Sequence, residues 1–543
     1  METFAKLYGS VLVFFYHCFD RLVIHGYLLG LSRPGNVVFY FRDVLGLSPI
    51  TPEVLARPTH EYQAWVEAYA RQHRLPFEWA PKGVRKEDFV RPWLQRMERQ
   101  NRYGVYCILK SKERGNTFRS CPSSFSASCP EDRLLRRRQS CFTHYYFYLR
   151  DKTLGPMVAQ VASYLPFAMT FYLNGHSFIA QQLRPAGVAF RQKQNAFLSV
   201  SDPAALKKAA DRLRAPLLRE RLDYWTAQLG PQFPPSVRRA MNLNRFYSLT
   251  QVEYCLNFIF RRHFPIHHLF QRSCDLGLAR LTADHLSQIF GFRLTRRLKG
   301  FLDSSLRQIE HGHHVLRAAC KKTWIKSYEK FSTFLRLEVC SNCLPDFGLR
   351  KGLDHLEEVR LTLANLTDRF AAFQASSLNV HGDFPLFQRL ALPVLVGQTK
   401  IPGIKIHDTR IIRLMEVLLH AGTLPTGWRS AQIHQAILTT FGLSASAYTL
   451  TQLRYDLRKM KAHGLLERCG QSYAYRLTSD GTKVALFFIL FHRRVCGPLA
   501  SSLFQRRPIP NPRPTAQSRP PTIALIKPSK TSSSLLRPDL SKR

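Results

Sequence analysis

The sequence predicts a multidomain protein that is mainly α-helical, with a small α+β domain and a separate unit near the carboxyl end. Three observations lead to this prediction. The chain has 543 residues, which is enough for several domains. Apolar residues recur with the helical period through much of 216–387. Strand-like and helix-like patterns alternate through 100–215, as in a small α+β domain.

Shifts in composition divide the chain into six segments. The boundaries follow Pro- and Gly-rich stretches and changes of periodicity. In order we expect a mixed segment at 1–99, the α+β domain at 100–215, a helical domain at 216–387, a linker at 388–404, a compact unit at 405–495 and a basic, Pro/Ser-rich disordered tail at 496–543.

Individual elements follow from periodicity and from turn and cap signals. Asp202-Pro203 is typical of a helix start, and Asn174-Gly175 is typical of a turn. Lys110–Arg138 has no period and is expected to be a basic surface loop. The expected strands are Val37–Phe41, Val105–Leu109, Phe142–Leu149, Met169–Leu173 and Ala196–Val200. The expected helices before residue 388 are Thr59–Arg74, Met157–Tyr164, Ser177–Leu183, Leu217–Leu229, Gln251–Arg262, Ala283–Phe290, Leu298–Trp324 and Leu353–Phe373.

The charge balance points to an anionic partner. Lys and Arg number 79 against 37 Asp and Glu, which gives a formal charge of +42. Nucleic acid is the commonest partner of such a chain, because phosphate contacts release condensed counterions. An anionic membrane surface is the competing explanation. Apolar residues make up 45% of the chain, which excludes a disordered polyelectrolyte.

The sequence predicts a cytoplasmic, nucleoid-associated protein without a membrane segment. The apolar stretch Ser10–Leu31 contains Asp20 and Arg21, and a bilayer span needs about 20 nearly uncharged residues. No signal-peptide pattern is evident. The twelve cysteines are scattered, which favours free thiols over a disulfide framework.

The segment 405–495 carries the clearest pattern. Asp408 and Ser430 begin two helices, a third is expected from Thr449 to His463, and Gly464 suits a left-handed helix end. Two short strands, Leu465–Arg468 and Tyr473–Leu477, precede a last helix, Thr482–His492. This order, with Gly464-Leu465-Leu466-Glu467 and Tyr475-Arg476-Leu477-Thr478, resembles the winged-helix DNA-binding domain of bacterial transcriptional regulators.

The resemblance implies that the third helix enters the major groove and that the hairpin contacts the DNA backbone or the minor groove. Leu453, Leu457 and Met460 supply a core face for that helix. Its other face and the hairpin supply the predicted DNA-binding residues Thr449, Thr451, Gln452, Arg454, Tyr455, Arg458, Lys459, Arg468, Gln471 and Ser472.

The most favoured function is therefore duplex DNA binding by a regulatory or mobile-element protein, without a cofactor or metal ion. Protein contacts by the winged helix, RNA binding as an accessory protein and a homodimer are left open. A metal-dependent nuclease or transposase is the enzymatic alternative, with Asp151 as its best-placed carboxylate among Glu113, Asp202, Asp223 and Glu253. Phosphate-binding loops and nucleophile-elbow motifs are absent from the sequence.

Three further groups are weaker candidates. Glu310-His311-Gly312-His313-His314 could bind a metal ion, although surface or core histidines are more common. Cys340-Ser341-Asn342-Cys343 lacks two further zinc ligands at a recognisable spacing. Aromatic residues on two expected strands could stack exposed bases, although such residues are more often core: Tyr145, Tyr146, Phe147, Tyr148, Phe171 and Tyr172.

Overall fold

A computed structural model describes residues 8–81, 83–122, 133–263, 266–267, 270, 289–290, 302–308, 314–378, 384–420, 427–469 and 474–497. The chain forms two compact units. The first unit contains the described residues up to 375, and the second contains those from 376 onward.

One sheet of eleven strands organises the first unit. Its strands are β1 (Leu12–Leu28), β2 (Phe77–Trp79), β3 (Gly104–Pro122), β4 (Arg133–Asp151), β5 (Gly155–Ala162), β6 (Met169–Asn174), β9 (Arg245–Phe260), β10 (Leu302–Gln308), β11 (His314–Cys320), β12 (Thr323–Phe331) and β13 (Phe334–Ser341). Their order is β10-β11-β12-β13-β9-β1-β6-β5-β4-β3-β2. All neighbours pair antiparallel except β2 and β3.

The prediction of a mainly α-helical protein is wrong. Most of Gln251–Arg262 lies in β9, and the described parts of Leu298–Trp324 lie in strands β10 to β12. Within β9, Tyr254–Phe260 are buried without alternation, so both faces of that part of the strand are covered. A strand buried on both faces loses the alternation that separates strands from helices in a sequence.

Three other local predictions are also wrong. Met157–Tyr164 was expected to be a helix, but most of it lies in β5. Val37–Phe41 was expected to be a strand and is helical. The described parts of Lys110–Arg138 extend β3 and β4 rather than forming a loop. The two strands pair through this polar stretch because backbone groups supply the hydrogen bonds between strands. Such pairing does not require a periodic pattern of side chains.

Helices occur between and after these strands along the chain. They are α1 (Pro34–Phe39), α2 (Pro52–Gln72), α3 (Lys86–Arg99), α4 (Gly175–Leu183), α5 (Pro203–Asp211), α6 (Ala215–Leu229), α7 (Pro235–Ala240) and α8 (Leu356–Leu378). The small strands β7 (Phe190–Gln192) and β8 (Phe197–Val200) form a separate hairpin. The Asp202 side chain accepts from two backbone N–H groups at the start of α5, which confirms the predicted cap. The helices expected at Ser177–Leu183, Leu217–Leu229 and Leu353–Phe373 are confirmed, with ends that differ by a few residues.

The second unit contains helices and two small sheets. Its elements are α9 (Phe384–Ala391), β14 (Val394–Val396), β15 (Thr399–Ile401), α10 (Thr409–His420), β16 (Trp428–Arg429), α11 (Ser430–Phe441), α12 (Leu450–Ala462), β17 (Leu466–Arg468), β18 (Ala474–Leu477) and α13 (Ser479–Phe491). Strand β18 pairs with both β16 and β17. Ile411, Ile433, Leu453 and Phe488 share one core, so α10 to α13 pack together.

Several further predictions fall partly or wholly outside the described residues. These are the helix Ala283–Phe290 except its last two residues, the metal candidate at 310–314 except His314, the hairpin residues Gln471 and Ser472, and the tail from 498 onward.

Candidate functional site

Helix α12 begins with a reciprocal cap. The Thr449 hydroxyl accepts a hydrogen bond from the Gln452 backbone N–H at 3.2 Å. The Gln452 side-chain oxygen accepts one from the Thr449 backbone N–H at 2.8 Å. This capping box satisfies two donors that would otherwise be unpaired at the helix start. Two of the predicted DNA-binding residues therefore fix where the helix begins.

The outward face of α12 is exposed and cationic. Thr451, Arg454, Tyr455 and Arg458 are all exposed, and their spacing of three and four residues places them on one side of the helix. Within the part of the chain that the structure describes, Arg454 and Arg458 have no ion-pair partner. Their charges are therefore available to an external anion.

The acidic residue of α12 lies on its inner side. Asp456 is 2% exposed and accepts hydrogen bonds from Arg410 on α10 and from the Tyr448 hydroxyl. Burial and the neighbouring Asp456 raise the pKa of Tyr448, which stays a neutral donor. The exposed face of α12 consequently carries no carboxylate.

Lys459 does not share the exposed face with the other predicted residues. It is 8% exposed, and its ammonium lies 3.4 Å from the Asp408 carboxylate. Leu457 and Met460 beside it are buried as well, because the helical period turns this side toward the core. Its charge is thus neutralised within the unit.

The hairpin β17–β18 places Arg468 at the exposed end of β17. Gln471 and Ser472 lie outside the described residues. At the base of the hairpin, Arg476 donates to Glu467 at 2.5 Å across the two strands. Arg468 is therefore a cation at the exposed end of β17.

The whole segment is strongly basic. Residues 405–495 contain thirteen Lys and Arg against five Asp and Glu. Two of the five acids, Asp408 and Asp456, pair with Lys459 and Arg410 inside the unit. A positive surface potential concentrates polyanions and speeds their association.

The first unit contains a buried ionic centre, which we define as Asp20, Glu253, Glu338, Lys326 and Arg336 with their partners. Arg336 is fully buried on β13 and donates to Asn257 at 2.7 Å and to Asp20 at 3.4 Å. Burial alone would raise the pKa of Asp20, but Arg336 and His176 hold it well below the ordinary value.

The other two carboxylates of the ionic centre differ in their surroundings. Glu338 lies 2.8 Å from Lys326 and accepts from the Tyr328 hydroxyl at 2.7 Å. Burial, together with Glu338 and Asp20, raises the pKa of Glu253. Oxygen atoms of Asp20, Glu253 and Glu338 lie within 4.8 Å of one another. Arg336 and Lys326 offset their charge, so the ionic centre links β1, β9, β12 and β13.

Asp151, the carboxylate expected for metal-dependent cleavage, is saturated by protein donors. It is fully buried and accepts from the backbone N–H groups of Thr153 and Leu154, from Arg221 and from the Trp225 indole. The other candidate acids are not gathered around it. Glu113 accepts hydrogen bonds from Tyr146 and Gln160, and Asp223 accepts one from Tyr247. Asp202 caps α5, and Glu253 lies in the ionic centre.

The remaining sequence candidates take structural positions. Cys340 is buried, and its thiol lies 3.7 Å from the Glu253 carboxylate. Among the described residues, Cys343 does not belong to any cluster of three potential metal ligands. Five of the six aromatic residues considered for base stacking are buried, and Tyr172 is half-buried. These aromatic side chains therefore belong mainly to the core of the first unit.

No family model, curated protein or solved structure matches the chain. Among the described residues, every helix is too short or too polar to pass through a lipid bilayer.

Sequence reasoning missed the ionic centre. Its members alternate along their strands, as Glu253, Cys255 and Asn257 do on β9 and as Arg336, Glu338 and Cys340 do on β13. Polar residues at every second position are a strand signal. The helical assignment of both regions concealed it.

Proposed function

We propose that residues 405–495 form a winged-helix unit that binds duplex DNA, with α12 as the helix that enters the major groove. The order of α10, β16, α11, α12, the β17–β18 hairpin and α13 supports the proposal. So does the pairing of β18 with both β16 and β17. With 13 residues, α12 is about 20 Å long, and a major groove about 12 Å wide admits such a helix.

The observation that carries the proposal is the pair of exposed arginines, Arg454 and Arg458, on a helix face without a carboxylate. Arginine binds phosphate oxygens or the guanine edge through its planar fork. Thr451 and Tyr455 beside them offer hydroxyl groups for phosphate or base contacts. Arg468 on the hairpin would contact the backbone beside the groove.

In this proposal the chain is a regulatory or mobile-element DNA-binding protein that acts in the cytoplasm, at the nucleoid. The first unit would position the DNA-binding unit or receive a partner. RNA binding, a protein partner for α12 and a homodimer are the alternatives to this proposal. Cleavage through Asp151 is not proposed, because all its described contacts are to protein donors.

The test measures binding of the full chain to a labelled duplex over a range of salt concentrations. Arg454→Ala and Arg458→Ala should each weaken binding and lower the slope of log K against log salt by about one. Lys483→Ala is the matched control, since Lys483 is half-buried on α13 of the same unit and pairs with Asp480. Equal affinity for duplex DNA in all three variants would overturn the proposal. Stronger competition by unlabelled RNA than by unlabelled duplex DNA would also overturn it and would indicate an RNA ligand.

A further inference from the structure

Three side chains with metal-binding atoms converge in the first unit, beside the ionic centre. Cys18 on β1 and Cys255 on β9 are directly opposite in the strand register. His176 comes from the first turn of α4. The two sulphur atoms are 3.6 Å apart, and the Cys18 sulphur is 3.4 Å from His176 Nε2. All three residues are buried.

These distances fit one tetrahedral ion. Zinc lies about 2.3 Å from a thiolate sulphur and about 2.0–2.1 Å from an imidazole nitrogen. With those bond lengths, the 3.6 Å and 3.4 Å separations each subtend about 100° at the ion, which is close to the tetrahedral angle.

The histidine is oriented for ligation through Nε2. Its Nδ1 lies 3.0 Å from Asp20, whose charged carboxylate keeps the proton on that nitrogen. Nε2 is then the unprotonated nitrogen, and it lies 3.4 Å from the Cys18 sulphur. A carboxylate behind the distal nitrogen is the usual way in which proteins fix a metal-binding histidine.

A glycine allows the histidine to reach β1. Gly175 directly precedes His176, and a Cβ atom on it would lie 1.9 Å from the Phe19 carbonyl oxygen. Because no side chain intervenes, the start of α4 lies against the backbone of β1. That approach brings His176 beside Cys18.

A possible fourth ligand, the Tyr16 hydroxyl oxygen, lies next to the histidine. The Tyr16 hydroxyl lies 3.2 Å from His176 Nε2, and its oxygen accepts from the Phe197 backbone N–H at 3.0 Å. A zinc ion with two thiolates and a neutral imidazole adds no net charge to this interior. Arg336, 3.4 Å from Nε2, keeps Asp20 as its counterion.

We propose that Cys18, Cys255 and His176 bind a zinc ion, with the Tyr16 hydroxyl oxygen at the fourth position. The site is closed to substrate because its protein ligands are buried, so the ion is structural and joins β1, β9 and α4. This inference concerns the first unit and does not depend on DNA binding by the second.

The test uses the full chain without a histidine tag, purified under reducing conditions from zinc-supplemented cells. Elemental analysis should find about one zinc ion per chain. Cys18→Ser and Cys255→Ser should each reduce it to background. Cys107→Ser is the control and should keep the ion, since Cys107 is an equally buried thiol on β3. Circular dichroism of the same samples reports whether each variant folds.

Two measurements on the unaltered chain keep the test decisive if the serine variants misfold. Cobalt(II) in place of zinc should give the tetrahedral visible bands and a thiolate charge-transfer band, and a chelator should lower the unfolding temperature. A metal-free chain that gives no cobalt spectrum would overturn the proposal. So would zinc retained equally by folded Cys18→Ser and Cys255→Ser, or a Cys18–Cys255 disulfide found by mass spectrometry.

Discussion

Arg410 and Asp456 form a two-point ion pair that joins α10 to α12. Arg410 Nε lies 3.1 Å from one carboxylate oxygen of Asp456, and Nη2 lies 2.5 Å from the other. Because Asp456 points inward, the residues on the opposite side of α12 face outward, including Arg454 and Arg458. The pair therefore sets the rotation of α12 about its own axis.

Replacing the buried carboxylate should loosen α12. We expect Asp456→Asn to destabilise the second unit by about 1–3 kcal/mol, because Arg410 and Tyr448 lose a charged acceptor inside the protein. Hydrogen exchange of α12 peptides measures the effect as faster exchange. The control is Asp480→Asn, an exposed acid of α13, which should leave α12 unchanged. Equal protection of α12 in both variants would show that the ion pair does not hold the helix.

Two neighbouring lysines of α12 should behave differently. Lys459→Ala should lower the unfolding temperature of the second unit, because it leaves Asp408 without its cation. Lys461→Ala should instead reduce the salt dependence of DNA binding, because Lys461 is exposed. Thermal unfolding and duplex titrations on both variants separate the effects. Equal changes of unfolding temperature and of salt dependence in the two variants would contradict the burial of Lys459.

Asp151 should matter for stability rather than for catalysis. Burial would raise its pKa, but Arg221, the Leu154 N–H and Trp225 hold the pKa below the ordinary value. The stabilisation is complete above the unfolded pKa of about 3.9 and is lost as the pH falls through the lower folded pKa. We expect Asp151→Asn to cost about 3–5 kcal/mol at pH 7.

The pH dependence provides the check on Asp151. The difference in unfolding free energy between the original chain and Asp151→Asn should shrink as the pH falls below about 4. Asp354→Asn, on an exposed carboxylate that pairs with Arg219, serves as the control with a small effect at every pH. A difference that stays constant down to pH 2 would mean that the charge of Asp151 contributes nothing.

Gly175→Ala should displace α4 from β1. The added methyl group would overlap the Phe19 carbonyl oxygen, so the backbone must move and His176 must move with it. We expect a loss of about 1–3 kcal/mol, as for overpacking of a tight contact. Gly35→Ala is the matched control, since a Cβ there meets open space and should be neutral or slightly stabilising. Chemical denaturation of both variants measures the difference.

The second unit could be predicted largely from its sequence, because its elements carry local signals. The helix expected from Thr449 to His463 is observed at Leu450–Ala462, with Thr449 as its cap. Gly464 has the positive φ of 73° that its position at the helix end required. Amphipathic helices of a small unit keep one polar face in solvent, so their period survives in the sequence.

The large sheet could not be predicted in the same way. Residues Tyr254–Phe260 of β9 are all buried and all but Asn257 are apolar, so the sequence there shows a nearly unbroken apolar run that also fits a buried helix. The partners of β9 are β1 and β13, which lie far away in the chain. Pairing at that distance leaves no trace in a local pattern, and the ionic centre depends on it.

The position of β1 has a consequence for biosynthesis. This strand lies between β6 and β9, so its second edge stays uncovered until the ribosome has delivered residues 245–260. Strand β9 in turn waits for 334–341. Such distant pairing slows folding, and open strand edges invite aggregation in the meantime. Nascent chains released before that point would present an unfinished edge rich in apolar side chains, which makes them natural clients for chaperones.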